Sequence, residues 1–340
     1  KAKQNERPRD DTPGAFSISS PKESVMRLLL VLAIILGLAG GGYVAVTGFF
    51  LAHAATQLLT VGTIASAITL ATPPAEPLAL GYRGTPTQAF SLPFQTLRID
   101  TALGPAEAWL VPAAGPEVGR AIYVHGIAGA REDGYRALSL LHEAGWSVLL
   151  ITYRNDPGAP PAPEGTYGFG LTEWPDLEAA VATMAPADSD RVLVVAESMG
   201  GAILGQFLKQ SALAPRISAV ALDSPAISFG AVIDHLAAQA GKPLPGLIAW
   251  SAKQILPFKT PLPLGEAEVA ATYATFPGPL FLAHGSADRI VPIGPSMTLT
   301  AARSAPTVPL WTAADHLGSH AEDPVAYRAA FQDFLARIGG

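Results

Sequence analysis

Hydrophobic residues form one long uninterrupted stretch near the N-terminus of the chain. From Leu28 to Ala52 the sequence runs LLLVLAIILGLAGGGYVAVTGFFLA, which is 25 residues without a charge. A transmembrane helix needs about 20 such residues, so the pattern predicts a membrane-spanning helix over residues 25–52. The preceding residues 1–24 are polar and rich in Lys, Arg, Asp, Pro and Ser, which is typical of a disordered tail.

The charges on either side of this stretch predict its orientation. Lys22 and Arg27 precede it, and the next cationic residue is Arg83. By the positive-inside rule, the N-terminus is expected in the cytoplasm and the bulk of the chain outside a cell membrane that is crossed once. The sequence AHA at residues 52–54 resembles a signal-peptide cleavage site, but the apolar stretch exceeds the about 7–15 residues of a signal's apolar core. An uncleaved anchor is therefore favoured.

A second uncharged segment covers residues 54–72, with Thr or Ser at intervals of three to four residues. This spacing predicts an amphipathic helix that lies at the membrane interface or packs on the anchor. The alternative is a second membrane span, which would invert the topology. Pro73 and Pro74 end the segment, so residues 53–89 are interpreted as an amphipathic segment and linker.

Strand and helix patterns alternate over residues 90–340, the predicted globular domain. Several apolar runs are apolar on both faces, as buried parallel strands are. Strands that alternate with crossover helices predict an α/β fold, in which helices cover both faces of a mostly parallel sheet. The predicted strands are residues 94–99, 106–111, 121–124, 147–152, 191–196, 217–222, 279–284 and 308–312, and the predicted helices are 135–144, 176–184, 200–210 and 324–338.

Composition excludes several classes of function. The net charge is −6 and no Lys/Arg cluster recurs along the chain, which argues against a nucleic-acid partner. The charged fraction of 15% and the mean hydropathy of +0.30 agree with a membrane-embedded part. Cys is absent from the chain, which excludes disulfides, thiolate zinc sites and a cysteine nucleophile. The sequence shows no metal-binding motif, and no cofactor is expected.

The segment AESMGGA, residues 196–202, follows a predicted strand and precedes a predicted helix. This is the context of a nucleophile elbow, in which a serine lies on a strained turn between the two elements. The usual pattern is G-x-S-x-G, and Ala196 replaces the first glycine. The flanking residues must be small because strand and helix approach closely there, and Ala196, Gly200 and Gly201 all meet that requirement. Ser198 is therefore the candidate nucleophile.

Two later residues supply candidate partners for this serine. Asp288 and His316 each follow a predicted strand, in the chain order Ser, Asp, His that a nucleophile elbow requires. Because ligands bind at the carboxyl ends of parallel strands, all three side chains are expected at one edge of the sheet. His316 would accept the serine proton, and Asp288 would orient its imidazole. Asp315 and His320 are neighbouring alternatives, and Asp223 is an alternative acid.

An oxyanion hole is expected beside the serine, from the N–H of the following residue and from an N–H in the loop after an earlier strand. Met199 follows the serine. The sequence HGIAG at residues 125–129 follows the strand 121–124, so Ile127 is the second candidate donor. A phosphate-binding loop is the alternative interpretation, but no G-K-[ST] follows the glycines.

The segments YVHGIAGAREDGY, ITYRND, VVAESMGGA, ALDSP, FLAHGSADRIVP and ADHLGS, in this order, resemble the α/β-hydrolase superfamily. They are most similar to its membrane-anchored, serine-aminopeptidase or monoacylglycerol-lipase-like branch, over residues 90–340. The resemblance implies an eight-stranded sheet. It also implies roles for the following residues: Ser198, Asp288 and His316 in catalysis, and the Ile127 and Met199 N–H groups in the oxyanion hole. Ala196 is the departure from the family pattern.

An apolar-rich insertion lies over residues 226–276, where this superfamily carries a lid. It is expected to form one or two amphipathic helices over the sheet, or to act as an acyl-binding wall. Few charged residues line the candidate site, so hydrolysis of a carboxylic ester or lipid-like acyl substrate through an acyl-enzyme on Ser198 is predicted. The expected partners are this small-molecule substrate and the lipid bilayer. A peptidase, an acyltransferase and a non-catalytic membrane-tethered binding module are the alternatives.

Overall fold

Eight strands form a single sheet in the computed structural model, which describes residues 21–63 and 72–338. The strands are β1 (Gln95–Thr101), β2 (Gly104–Val111), β3 (Gly119–Val124), β4 (Trp146–Ile151), β5 (Val192–Glu197), β6 (Ile217–Asp223), β7 (Leu280–Gly285) and β8 (Thr307–Thr312). Their order in the sheet is β1-β2-β4-β3-β5-β6-β7-β8. β2 pairs antiparallel with β1 and β4, and every other pairing is parallel. The mostly parallel eight-stranded sheet confirms the predicted fold class.

Helices connect the strands and cover the sheet. They are α1 (Pro21–Leu59), α2 (Pro86–Phe90), α3 (Tyr135–Glu143), α4 (Trp174–Met184), α5 (Met199–Gln210), α6 (Phe229–Gln239), α7 (Pro245–Ile255), α8 (Ala270–Thr275), α9 (Gly294–Ala302), α10 (Ser319–Glu322) and α11 (Pro324–Ala336). The predicted domain elements are found with boundaries shifted by at most a few residues.

The period-two alternation of side chains divides the core into two layers, one on each face of the sheet. Ile122 and Val124 of β3 belong to one layer, together with residues of α1, α4, α5, α6 and α7. Ala121 and Tyr123 of the same strand belong to the other, together with residues of α3 and α11. Both faces are therefore buried, which explains the continuous apolar runs of the central strands.

α1 is longer than the predicted span. It includes the last residues of the predicted polar tail and the first residues of the predicted 54–72 helix, while residues 1–20 and 64–71 lie outside the described residues. Within the described chain, α1 is the one helix that is long and apolar enough to cross a membrane. Its residues 22–42 are exposed throughout, whereas Gly48, Ala52, Ala55 and Leu59 form a buried stripe. The C-terminal half of α1 therefore packs on the domain.

The segment before β1, interpreted from sequence as a linker, contains the short helix α2. Thr85 caps this helix by accepting the Gln88 N–H, and the Gln88 side chain accepts the Thr85 N–H in return. This capping box corresponds to the sequence TPTQ at residues 85–88, in which Pro86 occupies the first helical position.

The insertion 226–276 contains the helices α6, α7 and α8 between β6 and β7. We call residues 226–276 the lid. Its buried apolar residues, among them Phe229, Ile233, Ala249 and Leu256, join the core layer on the α5 side of the sheet. These helices therefore lie over the sheet, and three of them form where the sequence predicts one or two.

Candidate active site

Ser198 lies between the end of β5 and the start of α5, with φ 50° and ψ −120°. A non-glycine residue at positive φ is strained, and such strain persists only where the surroundings enforce it. Here the Ser198 N–H donates to Asp223 O at 3.0 Å, and Ser198 O accepts the N–H groups of Gly201 and Ala226, both at 2.9 Å. The turn is therefore held from β6 as well as from its own helix.

The small residues around the serine are required by the space available. A Cβ on Gly200 would collide with the carbonyl oxygen of Val124 in β3, and a Cβ on Gly201 would lie 2.8 Å from Pro225 Cβ. Ala196 is completely buried. The prediction that small side chains are needed at these positions is confirmed for the two glycines, and alanine is accommodated at the third.

The side chains of Ser198, His316 and Asp288 form one hydrogen-bonded chain. His316 Nε2 lies 2.9 Å from Ser198 Oγ, and His316 Nδ1 lies 2.7 Å from Asp288 Oδ2. The serine and aspartate are buried, and the histidine side chain is 12% exposed. A histidine oriented by a carboxylate and in contact with a serine hydroxyl can remove the hydroxyl proton.

Asp288 accepts hydrogen bonds at both carboxylate oxygens. Oδ1 accepts the N–H groups of Ile290 and Val291, both at 2.8 Å, while Oδ2 faces His316 Nδ1 and also His284 Nε2, at 3.2 Å. Burial alone would raise the pKa of Asp288, but the hydrogen bonds from the two histidines and from Val291 outweigh it and hold that pKa well below its usual range. Asp288 is therefore a carboxylate at neutral pH.

Arg289 and Asp315 join the loop that carries Asp288 to the loop that carries His316. The Arg289 N–H donates to Asp315 Oδ1 at 3.0 Å, and its Nε donates to Asp315 Oδ2 at 2.7 Å. Asp315 Oδ1 also accepts the His316 N–H at 2.8 Å. The hydrogen bond from Arg289 lowers the pKa of Asp315 to about 2. Sequence reasoning missed this contact, because Asp315 was considered only as a competitor in catalysis.

Asp223 and His320, the alternatives to Asp288 and His316, have other partners. Asp223 accepts from Tyr327 Oη and Ser224 Oγ, both at 3.1 Å. His320 packs against the Tyr327 ring, at 5.2 Å between centroids, and burial lowers its pKa to about 4. Ser224 does contribute to the site, because its Oγ accepts the N–H of Leu317 at 3.1 Å and so ties β6 to the histidine loop.

The loop that carries Ile127 lies directly against Ser198. A Cβ on Gly126 would lie 2.9 Å from Ser198 Cβ, so the next residue, Ile127, is beside the serine. Met199 begins α5, where helix N–H groups and the helix dipole favour negative charge. Both predicted oxyanion donors therefore belong to backbone segments adjacent to Ser198.

His125 links this loop to Asp156. Its Nδ1 lies 2.8 Å from Gly126 O, and its Nε2 lies 2.9 Å from Asp156 Oδ2, which also accepts the Tyr153 N–H at 2.7 Å. Burial alone would lower the pKa of His125, but the charge of Asp156 and its hydrogen bond outweigh it and raise the pKa. A carbonyl oxygen can only accept, so the Nδ1 that faces Gly126 O carries a proton.

A buried ion pair supports Glu197, the residue that precedes Ser198. Arg136 Nη2 donates to both oxygens of Glu197 at 2.8 Å, and Tyr123 Oη donates to Glu197 Oε2 at 2.8 Å. Breaking such a pair by removing one partner costs about 3–5 kcal/mol. The local sequence around Glu197 carries no signal of this contact, because Arg136 lies on α3, 61 residues earlier in the chain.

No protein-family model and no curated protein sequence matches the chain. Solved structures do match it. An esterase from Pyrococcus furiosus has a TM-score of 0.59 at 21% identity, over 79% of this chain and 97% of that one. An esterase from Exiguobacterium antarcticum has a TM-score of 0.52 at 12% identity, over 72% and 100% of the two chains. A thermophilic esterase from Thermogutta terrifontis with malate bound has a TM-score of 0.51 at 16% identity, over 72% of this chain and 99% of that one. At these identities the likeness is one of fold, and the fold is the α/β-hydrolase fold.

Proposed function

We propose that the protein is a membrane-anchored serine hydrolase that cleaves carboxylic esters or lipid-like acyl substrates. The observation that carries the proposal is the chain of hydrogen bonds from Asp288 through His316 to Ser198 on a strained strand–helix turn. The solved esterases of the same fold support an ester as the substrate. We assign the chain to the serine-aminopeptidase or monoacylglycerol-lipase-like branch on the motifs quoted above.

The proposed reaction proceeds through an acyl-enzyme. Ser198 Oγ attacks the ester carbonyl carbon while His316 Nε2 accepts the hydroxyl proton, and Asp288 stabilises the imidazolium that forms. The N–H groups of Ile127 and Met199 donate to the oxyanion. The tetrahedral intermediate collapses, and His316 returns its proton to the departing alcohol. Water then attacks the acyl carbon, His316 accepts a proton from it, and collapse of the second intermediate releases the acid and returns the proton to Ser198.

The long N-terminal helix and the lid support an apolar substrate. Residues 28–42 of α1 are exposed and carry no charge. Such a surface is stable in a bilayer and unfavourable in water. Phe229 and Ile233 of the lid are buried in the core layer that also contains residues of α5. This is the helix that begins directly after Ser198. The apolar residues of the lid are suited to contact with an acyl chain.

Labelling with a fluorophosphonate tests the proposed nucleophile. We expect the full-length protein in detergent to react, and Ser198→Ala to lose both labelling and esterase activity. Ser286→Ala is the matched control, because Ser286 is an exposed serine on the loop that carries Asp288. Labelling that persists in Ser198→Ala would exclude Ser198 as the nucleophile.

A substrate series separates ester hydrolysis from the alternatives. We expect p-nitrophenyl esters to be cleaved with a preference for longer acyl chains, because the proposed acyl wall gains apolar contact with each methylene. Preferential cleavage of aminoacyl amides would instead indicate a peptidase. Absence of labelling and of turnover in the folded wild-type protein would favour a binding module.

A further inference from the structure

Helices α1 and α7 lie side by side, so the lid is in direct contact with the N-terminal helix. A Cβ on Gly48 would lie 2.6 Å from Ser251 Cβ, which shows how closely the two helices approach. The Tyr43 Oη donates to Pro243 O at 3.2 Å, just before α7 begins. The lid therefore extends along α1 from Tyr43 onward.

This pair of helices exposes a shared apolar surface. We call it the α1/α7 face. It consists of Val46 (56% exposed), Phe49 (45%) and Phe50 (63%) on α1, Leu247 (52%) and Trp250 (59%) on α7, and Phe258 (90%) in the short turn that follows α7. Large apolar side chains grouped in this way mark an interaction surface for a protein or a membrane. The amphipathic aromatic side chains Tyr43 and Trp250 belong to types that are enriched at the membrane interface.

Three lysines lie in the segment that carries the lid part of the α1/α7 face. Lys242, Lys253 and Lys259 are the charged residues of segment 241–265, in a chain whose net charge is −6. Lys259 Nζ lies 3.6 Å above the Phe49 ring, at the edge of the face, and Lys253 pairs with Asp234 of α6. An apolar surface bordered by lysines is complementary to a membrane that carries anionic lipids.

The length of α1 that projects from the domain also favours a membrane. Residues 25–42 are exposed and, at 1.5 Å per residue, extend for about 27 Å, which is close to the about 30 Å thickness of the hydrocarbon core. If these residues cross the bilayer, Tyr43 lies at its surface. The α1/α7 face begins at that level and is continuous with the apolar surface of the span.

We propose that the α1/α7 face binds the headgroup region of an anionic bilayer, the same bilayer that α1 crosses, so that the lid lies on the membrane surface. This inference rests on the proposed membrane anchor. The lid also contacts the active site, because His235 of α6 donates from Nε2 to Asp288 O at 3.0 Å. The active site is therefore held at the lipid surface, and its substrates are acyl esters dissolved in the bilayer.

Site-specific labelling tests this arrangement, and the cysteine-free chain makes each label unique. Full-length Phe258→Cys, Ile35→Cys and Val118→Cys, each carrying a fluorophore, are reconstituted in nanodiscs of phosphatidylcholine and phosphatidylglycerol. The discs contain lipids with a nitroxide either near the top of the acyl chain or deep within it. Ile35 lies in the projecting half of α1, and Val118, which is 69% exposed just before β3, is the control for an exposed apolar position away from α1.

We expect the shallow nitroxide to lower the emission at Phe258→Cys about twofold, as for a group about 5–10 Å inside the headgroup boundary. We expect the deep nitroxide to quench Ile35→Cys, and Val118→Cys to be unaffected. If Ile35→Cys is quenched but Phe258→Cys behaves like Val118→Cys, the inference is overturned and the anchor stands. If Ile35→Cys is not quenched, the anchor and the inference both fail. Equal quenching of Phe258→Cys in pure phosphatidylcholine would overturn the anionic preference.

An activity assay separates this inference from the proposed chemistry. In the double variant Trp250→Ser, Phe258→Ser, kcat/KM is expected to fall about tenfold for a long-chain ester dissolved in vesicles. Turnover of a water-soluble short ester is expected to be unchanged. Equal loss on both substrates, or loss on neither, would overturn the docking. Absence of turnover in the wild type would overturn the proposed function instead.

Discussion

Replacement of Asp288 by asparagine can replace the accepting Oδ2, which faces His316 and His284, with an NH2 group that donates. All four groups around this carboxylate can donate: Ile290 N and Val291 N to Oδ1, and His316 Nδ1 and His284 Nε2 to Oδ2. Asparagine has one accepting oxygen, which the two backbone N–H groups retain. Its amide NH2 then faces the two histidines, and His316 must accept at Nδ1.

The expected loss of kcat in Asp288→Asn follows from the tautomer of His316. A neutral imidazole that accepts at Nδ1 carries its proton on Nε2, which faces Ser198 Oγ at 2.9 Å and therefore cannot accept the hydroxyl proton. Loss of the orienting carboxylate by this route lowers kcat by about 10⁴-fold, or about 5 kcal/mol at about 1.4 kcal/mol per decade. KM is expected to change little, because Asp288 does not contact the substrate.

The assay is steady-state hydrolysis of a p-nitrophenyl ester by wild type, Asp288→Asn, Asp223→Asn and Asp315→Asn. Thermal unfolding of each variant controls for loss of structure. Asp223→Asn tests the alternative acid, and Asp315→Asn tests the exposed contact between the loops, where less than tenfold loss is expected. Activity of Asp288→Asn within tenfold of the wild type, with loss in folded Asp223→Asn, would refute the assignment of the acid.

The remaining predictions concern packing and pH. Gly200→Val is expected to abolish esterase activity, measured as above, because β3 leaves no room for its side chain. Phe281→Ala, which removes a buried ring from the α11 side of the core, is expected to lower the free energy of unfolding in urea by about 3–5 kcal/mol. Gly48→Leu is expected to destabilise the lid by about 1–3 kcal/mol in a thermal scan, whereas Gly41→Leu, with open space around it, is expected to have no effect. The depressed pKa of Asp288 stabilises the folded state above the unfolded-state pKa of about 3.9, so thermal stability is expected to fall as pH drops below that value.

Much of the domain could be predicted because its central strands are buried on both faces. β5 and β7 each begin with a continuous apolar run, VLVVA and LFLA, that is followed by polar or small residues. Such a run has one stable environment, a parallel sheet covered by helices. The same logic led to Ser198, Asp288 and His316, since in such a sheet the residues just after the strands share one edge.

Which of the neighbouring Asp and His residues contact Ser198 and one another can be seen only in the tertiary structure. Asp223 and Asp288 both follow strands, and His316 and His320 are four residues apart. Their side-chain directions depend on loop conformations that local sequence does not encode. The bridge between Arg289 and Asp315 is an example, because its partners are separated by 26 residues and meet only when the two loops are adjacent.

The sequence by itself determined the order of elements, the sheet, the serine turn and the apolar N-terminal helix, because each depends on local periodicity, on small residues or on an uncharged run. Tertiary structure alone decided which acid faces His316, how Arg136 and His125 support the serine and its loop, and that α1 packs on the lid. These contacts join residues far apart in the chain, and burial, not local propensity, stabilises them. AESMGGA predicted a nucleophile, but only the fold brings Asp288 and His316 into contact with it.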